Sequence, residues 1–70
     1  MLEFGEILRE LRTDRHLTQP QLAQEIGVSK GIISFWETGL SEPTASNIIK
    51  VAKYFDVTSD YLLGLSIDRK

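Results

Sequence analysis

Cysteine is absent from this chain of 70 residues. Disulfides, thiolate metal sites and cysteine nucleophiles are excluded together, and the absence suits a cytoplasmic protein. Histidine occurs once, at His16 in a short connection, so no histidine-rich metal site can be assembled and a surface position is expected. No apolar run approaches the roughly 20 residues that span a bilayer, and no charged-then-apolar leader opens the sequence. Low-complexity tracts, charge blocks and repeats of solenoid period are missing. No stretch alternates apolar and polar residues with period two, so no sheet is expected and no glycine-rich phosphate loop can follow a strand. Serine, histidine and aspartate occur, but nothing orders them into nucleophile, base and orienting group. The chain reads as a non-enzyme with no cofactor, no metal and no membrane partner. An excess of positive charge is missing too. Eight basic residues face ten acidic ones, for a net charge of −2, which argues mildly against a surface that seeks phosphate.

What is present is an ordinary globular composition, 41% hydrophobic and 26% charged, without the depleted apolar fraction of a disordered chain. The length allows one small domain. A core of this size typically supplies only ~3–5 kcal/mol of net stability. Deep enclosed active sites are therefore not expected, while helix caps and a partner subunit matter. Phe4, Ile7, Leu8 and Leu11 recur at helical spacing and predict a first helix from about Glu3 to Asp14. Thr18 is the natural N-cap of a second, with Gln21 completing a capping box and Pro20 in the first turn, where its missing N–H costs nothing. Gly27 ends it. Ser29 caps a third helix that Gly39 ends, and Gly39 to Pro43 is a breaker run. Thr44 caps a fourth, carrying Ile48, Val51, Ala52 and Phe55 and closed by Asp56. A fifth runs from Ser59 to Leu63 before Gly64, with Asp60 in its first turn. Three hydrophobic staples join residues across helix starts: Leu17 with Leu22, Val28 with Ile33, and Val57 with Leu62. The expected fold is all-α, five short helices around one core.

The informative unit runs from Gln19 to Thr38. Ala23 sits where the next helix must approach closely, Gly27 makes the turn, and Leu22, Ile26, Val28, Ile33 and Trp36 supply the apolar contacts. This is a helix-turn-helix pattern, whose second helix is built to enter a major groove. With Ile33 and Trp36 turned inward, Lys30, Gly31, Ser34, Phe35 and Thr38 form an outward face, the last four spaced i, i+3, i+4, i+7. Lys30 and Gly31 lie near the helix start and are expected deepest in the groove. Lys30 can donate to guanine or phosphate, Ser34 can donate or accept, and Phe35 can touch a thymine methyl. Phe35 also reads as a dimer contact or a core residue. Ser29, Ser41 and Thr44 stand at helix starts and in the loop after Gly39, where phosphate contacts are expected, and Arg15 reads as a phosphate contact or a solvated loop charge.

The segments Leu17–Ala23, Gly27–Lys30 and Ile33–Gly39, continued by Glu42-Pro43-Thr44 and by Asp56–Gly64, closely resemble the Cro/CI-type helix-turn-helix family, XRE-like and lambda-repressor-like. The resemblance spans roughly Leu8 to Gly64. It implies a five-helix domain, residues 1–65, that binds double-stranded operator DNA as a homodimer, followed by a tail or linker start at 66–70. It also implies that Gln19 clamps a phosphate and that Arg12 and Glu37 form a buried salt bridge between helices one and three. Where many relatives carry basic or amide readers, this chain has Phe35, Thr38 and Leu40, which shifts readout toward methyl contacts and DNA shape. The charge objection is met in part by distribution. The acids gather at Glu3, Glu6, Glu10 and toward the C-terminus, and the third helix has none before Glu37. Tyr61, Leu62, Leu65 and Ile67 are expected to form a two-fold contact. The leading expectation is a sequence-specific transcriptional regulator, a repressor on a pseudo-palindromic operator. A protein-interaction module, antitoxin- or adaptor-like, using Ile32, Phe35 and Leu40, is the alternative.

Overall fold

Four of the five helices in the computed structural model start at a hydroxyl that local sequence put there. The model describes residues 2–70, with side chains from Glu3 onward. Its elements are α1 (Leu2–Asp14), α2 (Gln19–Ile26), α3 (Lys30–Thr38), α4 (Ala45–Phe55) and α5 (Ser59–Leu62). Thr18, Ser29, Thr44 and Thr58 each accept the backbone N–H three residues ahead, from Gln21, Ile32, Asn47 and Tyr61. Each bond satisfies an N–H that the first turn would leave unpaired, worth about 1 kcal/mol. At α2 the box is complete, since Gln21 Oε1 in turn accepts from the Thr18 N–H at 2.8 Å. The helices stop where the chain turns left-handed, at Gly27 (φ 78°), Gly39 (φ 81°) and Asp56 (φ 55°). His16, at φ 57°, closes α1 in the same way. Histidine is a less common occupant of that region than glycine, and nothing in its neighbours' sequence announced the role. The fifth helix ends one residue before the expected Leu63.

The amphipathic faces converge on one cluster. Phe4, Leu8 and Leu11 from α1 meet Leu22, Ala23 and Ile26 from α2, Ile33 and Trp36 from α3, Val51 and Phe55 from α4, and Leu62 from α5. Leu17, Val28 and Val57, the outer halves of the three staples, pack against it. Phe4 and Trp36 meet edge to face, with ring centroids 5.9 Å apart, a favoured aromatic geometry. Leu62 is fully buried. It therefore has no surface for a second subunit, and its expected place in a dimer contact is corrected to the core. Of the same group, Tyr61 is half-buried, while Leu65 and Ile67 are 74% and 94% exposed.

The segment after Gly64 folds back on the domain. The Arg69 carbonyl accepts from the Thr58 N–H at 2.8 Å, and Arg69 Nε donates to the Tyr61 hydroxyl. The Arg69 guanidinium lies 3.6 Å from both Glu10 and Asp14, and Lys70 pairs with Asp56. Among the described residues, no helix is long and apolar enough to cross a membrane.

The contact between α1 and α3 depends on Gly5. A Cβ at this position would lie 2.3 Å from the Trp36 carbonyl oxygen and 2.8 Å from that of Glu37. Both obstacles are backbone, so the helices would have to part. Alanine raises helix propensity by up to ~1 kcal/mol, but the displaced interface outweighs that gain. Gly5→Ala is expected to destabilise the domain by more than about 2 kcal/mol, read as a fall of at least ten degrees in Tm. A variant melting at or above the wild-type temperature would show that α1 can shift freely.

Candidate nucleic-acid interface

The orientation of α3 is set from its inner face. Ile33 and Trp36 fill the core, and beside them the Glu37 carboxylate is completely buried. Four donors converge on it. Arg12 approaches with Nε on Oε2 at 2.7 Å and with a terminal nitrogen on Oε1 at 3.0 Å, a two-point fork. Gln19 Nε2 donates to Oε1 at 3.1 Å, and Arg9 Nε approaches the same oxygen at 3.4 Å. The remaining Arg12 nitrogen donates to the Leu17 carbonyl at 2.8 Å, tying down the α1–α2 connection. The implied Arg12–Glu37 bridge is thus present, and it is the centre of a larger network. No buried side-chain nitrogen or oxygen lacks a partner among the described residues. Burial by itself raises the pKa of Glu37. The hydrogen bonds from Arg12, Gln19 and Arg9, with the charge of Arg12, outweigh it and hold the carboxyl below its ordinary range.

With that face locked, the opposite face carries the expected residues. Lys30, Gly31, Phe35 and Thr38 are exposed and Ser34 is half-buried. Phe35 keeps 48% of its surface in solvent, so it is not a core residue. A Cβ at Gly31 would meet nothing within 4 Å. Lys30 is the one cation on α3. The Thr38 hydroxyl donates back to the carbonyls of Ser34 and Phe35, which leaves its oxygen only as an acceptor. Ser29 and Thr44 both cap helix starts, where their oxygens accept a backbone N–H, a bond that does not use the O–H proton. Thr44 also pairs with Ser46. Ser41 is half-buried, its N–H bonded to the Phe35 carbonyl, which pins the α3–α4 loop against the outward face. Gln19 joins the two faces. It opens α2 and its amide nitrogen is held by Glu37.

Arg15 does not join this group. Its guanidinium donates to the carbonyls of Tyr54 and Phe55 at 3.3 Å and stacks over both rings. It thereby satisfies the C-terminal end of α4, where carbonyls lack helical partners and a cation is favoured. Thr44 marks the other end of that helix, about 16 Å away at 1.5 Å per residue. In the fold, Arg15 serves as a cap of α4. Arg9 was not among the expected residues. The available signal was its i, i+3 spacing from Arg12, which puts both guanidinium groups on one face of α1. Among the described residues, no group of three or more His, Asp or Glu side chains gathers to hold a metal ion.

Glu37 makes the domain acid-sensitive. Its folded pKa lies below that of the unfolded chain, so its contribution is complete above the unfolded value of about 4.3. It is lost as pH falls through the lower folded value. Asp56 is also held low, by the hydrogen bond and charge of Lys70, but it is exposed and screened by solvent. Melting curves of wild type and Glu37→Gln between pH 7 and 3 are expected to converge as pH falls below the carboxylate range; parallel curves would contradict the assignment. Arg12→Ala at pH 7 is expected to cost about 3 kcal/mol by stranding the carboxylate, enough to unfold much of the population.

Three comparisons bear on this geometry. The model of the helix-turn-helix family HTH_3 matches residues 8–62. Over 63 residues, 90% of this chain, the sequence is 45% identical to the HTH-type transcriptional activator BcrR of Enterococcus faecalis, of which those residues make up 31%. The crystal structure of the P22 c2 repressor in complex with a synthetic operator superposes with a TM-score of 0.84 at 33% identity, covering 90% of this chain and 96% of that one. The restriction-modification controller protein C.AhdI of Aeromonas hydrophila gives a TM-score of 0.79 at 34% identity, covering 87% and 92%. The chain spans less than three-fifths of the length of the curated relatives it matches.

Proposed function

The chain belongs to the helix-turn-helix family HTH_3, and from that premise we propose that it is a sequence-specific DNA-binding transcriptional regulator acting as a cytoplasmic repressor. The carrying observation is the outward face of α3, made of side chains the fold does not use and fixed in rotation by the buried Glu37 network. In this reading α3 enters the major groove. Lys30 donates to a guanine edge or a phosphate, Ser34 contacts a base edge, and Phe35 lies on a thymine methyl. Gln19, Ser41 and the starts of α3 and α4 at Ser29 and Thr44 face phosphates, donating through side-chain groups and the backbone N–H groups of the first turns, while Thr38, its proton committed within α3, meets a base-edge donor as an acceptor. The likeness to a repressor solved on its operator supports this placement.

Gly31 supports it independently. Glycine in a helix costs up to ~1 kcal/mol relative to alanine, and the space around Gly31 is open. The fold has no need of it, whereas a helix backbone pressed toward a groove does. Two copies, joined through Tyr61, Leu65 and Ile67, would set their third helices about 34–36 Å apart on a pseudo-palindromic site and exclude polymerase.

Selection of bound duplexes from a random DNA pool tests the reading, and a chain that enriches none is no DNA reader; the adaptor-like alternative would then lead. On the enriched duplex, Lys30→Ala is expected to lower affinity about tenfold with Tm unchanged. Gly31→Ala is expected to raise Tm by a few degrees and yet weaken binding several-fold; a variant both more stable and equally tight would remove Gly31 from the interface. Sedimentation with that duplex is expected to show two chains bound, and one chain per duplex for Leu65→Ser combined with Ile67→Ser. A wild type that binds singly at saturation would end the two-fold proposal.

A further inference from the structure

Glu37 has more cationic neighbours than its charge requires. The Arg12 fork neutralises the carboxylate, and Gln19 adds a neutral donor. Arg9 then brings a second positive charge to a group that needs one. Its contact is the weakest of the four, through Nε alone at 3.4 Å, and its side chain is 57% exposed against 13% for Arg12. Among the described residues its terminal nitrogens bond nothing, and no bridge forms to Glu6 or Glu10 on its own helix. The guanidinium is therefore held by one edge and open along the other. It stands beside Gln19, because both donate to Glu37 Oε1.

From this we infer that Arg9 is a phosphate-binding residue of the DNA interface, with Glu37 as its anchor rather than its purpose; the inference rests on the DNA-binding reading above. The chemistry fits a phosphate diester. A guanidinium presents two parallel N–H groups to two phosphate oxygens, whereas a carboxylate already saturated by Arg12 has no second pair to offer. The Nε bond to Glu37 orients the fork before contact, so less side-chain freedom is lost on binding. The site also answers a shortage. Lys30 is the one cation on α3, Arg15 is committed to α4, and Arg69 and Lys70 are committed to acids on the tail side. Arg9 adds positive charge beside the reading helix, through its contact with Glu37 of α3. A phosphate seated there is linked through Arg9 and Glu37 to Arg12, so it fixes the register of α3 as well as adding affinity.

The test measures affinity against potassium chloride concentration for wild type, Arg9→Gln and Arg9→Lys, using a duplex that the wild type enriches from a random pool. Arg9→Gln is expected to reduce the slope of log affinity on log salt by about one, the value for one phosphate contact. It is also expected to weaken binding several-fold at low salt, with Tm within a few degrees of wild type, since Arg12 and Gln19 still satisfy Glu37. Arg9→Lys keeps the charge and is expected to retain the slope while recovering only part of the affinity. An unchanged slope in Arg9→Gln overturns the inference and leaves the DNA-binding reading standing. A fall in Tm comparable to that of Arg12→Ala overturns it in another way, by making Arg9 a structural partner of Glu37. A wild type that enriches no duplex overturns both.

Discussion

A single buried carboxylate removes the rotational play that the apolar face of α3 would leave. Ile33 and Trp36 alone would tolerate a modest rotation of the helix, because apolar contacts are not directional. Glu37 does not. Its oxygens are bonded to Arg12 on α1 and to Gln19 at the start of α2, so three helices meet at one polar point inside the fold. Such a group gains little net stability, since desolvation offsets most of the attraction. Its value here is geometric. Any rotation or slide of α3 strands a charge, and that penalty is steep where the corresponding loss of apolar contact is gradual.

The same economy of contact appears between α1 and α3 backbones. Gly5 lets α1 lie against the carbonyls of Trp36 and Glu37, and the preceding residue, Phe4, meets the Trp36 ring. Close approach shortens the reach that Arg12 must cover and excludes water from the bridge. A reading helix held this way behaves as a rigid projection, and precision in placing functional side chains requires that rigidity. The caps Thr18, Ser29, Thr44 and Thr58 do the complementary work of starting each new helix soon after the last one stops.

Local chemistry was legible in the sequence and long-range chemistry mostly was not. Caps, staples and left-handed stops act over three or four residues, and every helix start at Thr18, Ser29, Thr44 and Thr58 could be read from neighbours. The outward set on α3 was legible because Ile33 and Trp36 set the helical phase. The Arg12–Glu37 bridge, 25 residues apart in sequence, was available only through family resemblance, as charge complementarity alone would pair Arg12 with many acids. Arg9 shared a helix face with Arg12 and could have been found with it, whereas the roles of Gly5 and Arg15 were beyond reach for one reason. Each acts on an element more than twenty residues away, and nothing in its immediate neighbours encodes that partner. Leu62 was misplaced because an apolar residue in a short terminal helix fits the core and a dimer surface equally well. Only the packing of Val57 and Leu62 against the common cluster separates them.

The net charge of −2 looks unfavourable for a protein that meets a polyanion, until the charges are located. Glu3 lies against Gly64, while Glu10 and Asp14 hold Arg69, so three of the four acids of α1 sit on the tail side of the domain. The one acid of α3 is Glu37, buried and neutralised. Lys30 and the open edge of Arg9 are left on the other side. In the proposed reading a polyanion meets the start of α3 rather than the α1–tail flank, and electrostatics orients the encounter without making it strong. A weakly attracted but well-oriented domain depends on side-chain contacts for its affinity. Phosphate attraction is blind to sequence whereas those contacts are not, and a low positive charge therefore favours discrimination over avid non-specific binding.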